Sequence, residues 1–106
     1  MLKVVFLVHK RPDMDLEEFR RHWRETQGAL AARIPGIRKY VQNYSVGAPT
    51  GGAAPYDGFA EVWFDNEGAF EHAMATPEAQ AAIADLPNFL DAESMQSFVV
   101  DEINIV

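Results

Sequence analysis

The chain has 106 residues, 48% of them apolar, no cysteine and a formal net charge of −7. That length and apolar content describe one folded domain, and they exclude a disordered tail, a disulfide scaffold, a thiolate metal site and a thiolate nucleophile. The acidic balance argues against a nucleic-acid partner, which needs clustered Lys and Arg.

Leu2 to His9 is rich in β-branched and large apolar residues and reads as a first strand. Met1 leads straight into it with no signal-peptide layout, and no apolar run reaches membrane-spanning length, so a cytoplasmic protein without a membrane partner is expected. Arg11-Pro12-Asp13 turns the chain. Asp15 then opens a helix that runs to Ile34, with Glu18 completing a capping-box-like start and Met14 placed to staple onto Phe19. Pro35-Gly36 stops it. Ile37 to Val46 is a second strand, Gly47 to Pro55 has the composition of a mobile loop, and Asp57 to Asp65 is a third strand. Asn66 to Met74 and Pro77 to Leu86 are helical, with Thr76 capping the restart and Pro77 at its first position. Phe98 to Val106 closes the chain as a fourth strand.

A βαββαβ order predicts an α+β, ferredoxin-like sandwich: a four-stranded antiparallel sheet with both helical regions on one face. Leu2, Val4, Phe6 and Val8 share one face of the first strand, with Val5 and Leu7 on the other. The third strand places Phe59 and Trp63 against Ala60, Val62 and Phe64 in the same way. Both faces are therefore apolar, yet the helices cover only one. A homodimer packed sheet against sheet is the economical answer.

The first helix carries one polar residue on its core stripe of Leu16, Phe19, Trp23, Gln27, Leu30 and Ile34. Gln27 either bonds a neighbouring backbone group or lines a pocket where helix and sheet part. Glu61 lies mid-strand on the face of Phe59 and Trp63. It is expected either in the cleft, where desolvation would raise its pKa and suit acid–base work, or in a salt bridge. Trp23, Phe59 and Trp63 are candidate pocket walls, and Tyr40 and Tyr44 share their strand face with Gln42. The arginines at positions 20, 21 and 24 are interleaved with Glu17, Glu18 and Glu25, which reads as a solvated helix face. His9, His22 and His72 have no shared-ligand spacing, so no metal site is expected, although His72 remains the least poor axial haem candidate. No Gly-rich phosphate loop precedes a helix, so no nucleotide cofactor is expected either.

The run Phe19-Arg-Arg-His-Trp-Arg-Glu-Thr-Gln-Gly-Ala-Leu30, followed by Ile34-Pro-Gly-Ile-Arg-Lys-Tyr-Val-Gln-Asn43, resembles the EthD family. Tyr56-Asp-Gly-Phe-Ala-Glu-Val-Trp-Phe-Asp65 matches its second signature, joined by Thr76-Pro-Glu78, Asp85, Phe89 and Val99-Val-Asp-Glu102. The resemblance covers essentially the whole chain. It implies the dimeric α+β barrel, with a ligand cleft between sheet and helices in each subunit. The family includes a protein of ethyl tert-butyl ether degradation, methylmuconolactone isomerases and fungal polyketide dehydratases. Related barrels are polyketide cyclases, cofactor-free monooxygenases and haem-degrading enzymes. Many relatives carry histidines where this chain has Gln27 and Ile103, and an amide cannot act as a general base.

Two functions follow. One is a cofactor-independent isomerase, cyclase, dehydratase or oxygenase on an apolar cyclic or carbonyl substrate, with Glu61 moving the proton and Gln27 holding a carbonyl oxygen. The other is a non-catalytic ligand-binding or accessory protein of a degradation pathway.

Overall fold

A computed structural model describes all 106 residues. The chain forms β1 (Leu2–Val8), α1 (Leu16–Arg21), a π-helical turn (His22–Gln27), α2 (Gly28–Ala31), β2 (Lys39–Tyr44), β3 (Gly58–Phe64), α3 (Glu67–Met74), α4 (Pro77–Asp85) and β4 (Gln96–Val100). The strands make one antiparallel sheet in the order β2-β3-β1-β4. This is the expected ferredoxin-like arrangement. β3 is inserted between the two strands of the first βαβ unit.

Local chemistry explains the boundaries. Asp15 accepts a hydrogen bond from the Glu18 backbone N–H at 2.8 Å, and Asn66 caps α3 from Ala69 in the same way. Thr76 caps α4 from the Ala79 N–H at 3.2 Å, with Pro77 at the first helical position, where its missing N–H has no helical partner to lose. β4 differs from expectation: it begins at Gln96 and ends at Val100 instead of running to Val106. Lys3 pairs with Val100 near the start of β1, so the chain beyond has almost no partner strand to follow. Glu102 turns instead to the Lys3 ammonium at 3.1 Å.

Directly paired residues share a face of the sheet. Val4, Phe6 and Val8 of β1 therefore join Ala60 and Val62 of β3 and Tyr40, Gln42 and Tyr44 of β2 on the helix side. Phe19 and Trp23 pack onto this side with Val8, Ala60, Phe89 and Leu90. Each large apolar side chain so buried contributes about 1.5–3 kcal/mol. Gly58 belongs to the same contact. A Cβ there would press on the Asn43 carbonyl and lie 2.8 Å from the Trp23 ring, so the glycine is what lets the indole reach the sheet.

The first helix departs from a simple α period. Its buried residues are Phe19, Trp23, Gln27 and Ala31, while Leu16 is 41% exposed and Leu30 is half-buried. The Gly28 N–H bonds the Trp23 carbonyl five residues back, so the turn between them holds one residue more than an α turn. The widened turn resets the stripe to an even spacing of four.

Candidate functional site

Between the sheet and the helices lies a cavity of about 460 Å³. β1 and β3 form its floor with Phe6 and Val62, and Trp23, Phe70 and Leu86 are among its walls. Ile83 and Val99 line it and are 47% and 58% exposed, so it opens to solvent between α4 and β4. The lining includes no Asp, Glu, His, Lys or Arg, and its polar side chains are Gln27, Tyr40 and Ser97.

Gln27 is held by a buried cluster. With its amide oriented to suit its neighbours, the nitrogen donates to Asp85 Oδ2 at 3.0 Å and to the Ala82 carbonyl at 3.1 Å. His22 Nε2 lies 3.0 Å from both Asp85 oxygens, and Asn88 donates to Oδ1 at 2.9 Å. The His22 ring stacks on Phe89 at 4.8 Å between centroids. In an α-helix, side chains five residues apart point about 140° away from each other. The π turn reduces that angle, which is how His22 and Gln27 both reach one carboxylate on α4. Asp85 is buried, and both of its carboxylate oxygens accept hydrogen bonds from these neighbours.

A second polar chain runs along β2. Tyr44 donates to Gln42 Oε1 at 2.6 Å, and the Gln42 amide nitrogen donates to the Trp23 carbonyl at 2.8 Å and the Tyr40 hydroxyl oxygen at 2.9 Å. Burial holds the Tyr40 phenol above its ordinary pKa, so it stays protonated. Its oxygen accepts from Gln42, and its own proton meets no acceptor from the chain.

The sequence-predicted residues therefore divide. Gln27, Trp23 and Tyr40 meet at the cavity. Tyr44 packs on the Trp23 ring at 5.2 Å but faces an outer groove beside Arg20, Arg21 and Arg24. Glu61, Phe59 and Trp63 lie on the opposite face of the sheet, and the cleft expected for them is a correction. β3 alternates, and the helices cover Ala60 and Val62 instead. Glu61 forms an ion pair with Lys3 and accepts from Asn43 at 2.9 Å. Lys3 holds its pKa below the ordinary value, the reverse of the rise expected in a desolvated cleft. The ammonium groups of Lys3 and Lys39 lie over the Trp63 ring, 4.9 Å and 4.8 Å from its centroid. His72 is exposed on α3 and does not line the cavity. The Gln27 N–H groups, expected on a substrate carbonyl, are already engaged by Asp85 and Ala82. The roles of Asp85 and His22 were missed, because the turn that unites them leaves no mark in an α-periodic reading.

A ferredoxin-like α+β domain with an apolar cavity under its helices is the class defined here. Within it, the chain belongs to the EthD domain family, whose pattern matches residues 11–93. An ethyl tert-butyl ether degradation (EthD) family protein from Bacillus halodurans is similar over 97% of this chain and 100% of its own, at 24% identity and a TM-score of 0.82. A dimeric protein of unknown function with a ferredoxin-like fold from Bacteroides fragilis covers 95% of each chain at 22% identity and a TM-score of 0.70. An antibiotic biosynthesis monooxygenase matches at 14% identity and 0.65, covering 98% of this chain and 100% of its own. These likenesses concern the fold. No curated protein matches the chain in sequence. No helix is long and apolar enough to cross a membrane.

Proposed function

We propose that this protein binds a neutral, ring-sized apolar molecule between its sheet and helices, and that it acts there on a carbonyl group without a nucleotide cofactor. The cavity carries the reading: about 460 Å³ of apolar-walled space within the usual range of small-molecule sites, lined by few polar groups. A charged ligand would enter without a counter-ion, which is costly in such surroundings. The protonated Tyr40 phenol supplies the chemistry. Donated to a carbonyl oxygen, it stabilises the negative charge that develops there when a neighbouring C–H proton passes to solvent water at the open mouth, the lining itself holding no base. Glu61 takes no part.

A second reading, a ligand-binding protein without turnover, is favoured by the lack of a carboxylate or imidazole among the lining residues. One experiment separates the two. Tetralone, a bicyclic ketone, is titrated against Trp23 fluorescence and then followed by NMR in heavy water. Binding with micromolar affinity supports the site. Exchange of the α-hydrogens for deuterium, faster with the protein than without and reduced by Tyr40→Phe, supports catalysis. Binding without accelerated exchange supports the non-catalytic reading, and absence of saturable binding overturns both.

We also infer that the working unit is a homodimer joined through the face of the sheet away from the helices. Phe59 and Phe98 are 38% and 50% exposed, with Phe98 paired to Val5 of β1 on the open face. The similar Bacteroides fragilis protein is described as dimeric.

A further inference from the structure

The polar groups of the cavity are not interchangeable, and their hydrogen-bond directions fix what a ligand must carry. Both N–H groups of Gln27 are engaged, by a carboxylate oxygen of Asp85 and the carbonyl of Ala82. Turning the amide over would set its oxygen against two acceptors, so the orientation is locked. Asp85 cannot move aside, because His22 and Asn88 hold it from the π turn and from the end of α4. Gln27 thus has one polar atom left, Oε1, and that atom only accepts. Tyr40 is the complement: its oxygen already accepts from Gln42, and its proton is free to donate.

We propose that Gln27 and Tyr40 select a ligand bearing a hydroxyl and a carbonyl on one apolar skeleton, the hydroxyl donating to Gln27 Oε1 and the carbonyl accepting from the Tyr40 O–H. This rests on the cavity as the binding site and goes further by naming the substrate class, a neutral hydroxy-ketone or phenolic ketone. It also assigns His22, Asp85 and Asn88 as positioning residues that hold the amide in its accepting sense. Ser97 lines the mouth, is exposed, and exchanges freely with water.

The test uses the full chain and a matched series: tetralin, tetralone, and the phenolic hydroxytetralones with the hydroxyl at each position of the aromatic ring. Isomers with an internal hydrogen bond are set aside. Affinity is read from Trp23 fluorescence and checked by calorimetry. At least one hydroxytetralone is expected to bind about tenfold tighter than tetralone, the size of one well-made hydrogen bond. Gln27→Leu should abolish that preference. Tyr40→Phe should remove the advantage of tetralone over tetralin and keep the hydroxyl preference. Equal binding of tetralone and every hydroxytetralone by the unaltered protein overturns the inference but leaves the cavity reading intact. So does a hydroxyl preference that survives Gln27→Leu. No binding of any member, tetralin included, overturns the cavity reading itself. Should Gln27→Leu fail to fold, the series on the unaltered protein still decides.

Discussion

Glu61 and Val62 are adjacent in the chain and face opposite sides of the sheet, so the carboxylate belongs to Lys3 and the valine to the cavity. Glu61→Gln is therefore expected to leave the affinity for tetralone unchanged and to lower stability by about 1 kcal/mol at neutral pH, typical of a partly shielded ion pair. The pH dependence has a defined sign. The folded-state pKa of Glu61 is lowered, chiefly by Lys3, so its contribution is complete above the ordinary carboxylate range. It is lost as pH falls through the lowered value. Melting temperatures measured from neutral to acid pH should converge for the two proteins at the acid end. A constant gap across the range, or weaker tetralone binding by the variant, would show that Glu61 has another role. Alternation alone places Glu61, Phe59 and Trp63 together. Which face receives the helices is decided by the Val4, Phe6, Ala60 and Val62 patch, whose smaller residues leave room for Phe19 and Trp23.

At the scale of elements, the segment from Gly47 to Pro55 stands apart from the strands it joins. Three of its glycines adopt positive φ, and its internal backbone bonds are Gly51 to Ala48 at 3.0 Å and Ala48 to Gly52 at 3.2 Å. It is held chiefly at its ends, by Ser45 to Asp57 at 3.0 Å and by His9 to the Pro55 carbonyl at 2.9 Å. Its amides should exchange orders of magnitude faster than those of β3, because opening it exposes almost no apolar surface. Exchange by mass spectrometry checks this, and protection equal to that of β3 would refute it. The elements that sequence reveals are those governed by near neighbours. The caps at Asp15, Asn66 and Thr76 and the alternation of β1 and β3 are all found where the residues place them. What stays hidden depends on contacts across the fold. The end of β4 is set by where β1 begins, and the wide turn at His22–Gln27 depends on a carboxylate 58 positions beyond Gln27. Gln27 shows both outcomes. Its place on the buried stripe is legible, and so is the choice between a hydrogen-bonded amide and a pocket wall. Its answer, which is both at once, needs Asp85.

For the molecule as a whole, the unsolved part of the sheet is its open face. Phe59, Phe98, Val5, Leu7 and Val41 lie there with no helix above them. Lys3 among them pairs with Glu61 and Glu102, while Lys39 lies over the Trp63 ring and is exposed at the start of the edge strand β2. A second copy meeting this face buries apolar area with the Lys3 charge already answered, the condition under which buried charge is tolerated. A symmetric pairing should cover at least the roughly 1,600 Å² of a standard stable interface. Sedimentation at micromolar concentration is expected to give a dimer. Replacing Phe98 by Glu, which puts a charge on the exposed apolar face, should shift it to monomer. A monomer from the unaltered chain would refute the dimer. A dimer that survives Phe98→Glu would place the contact on another surface and leave the open face of the sheet without a partner.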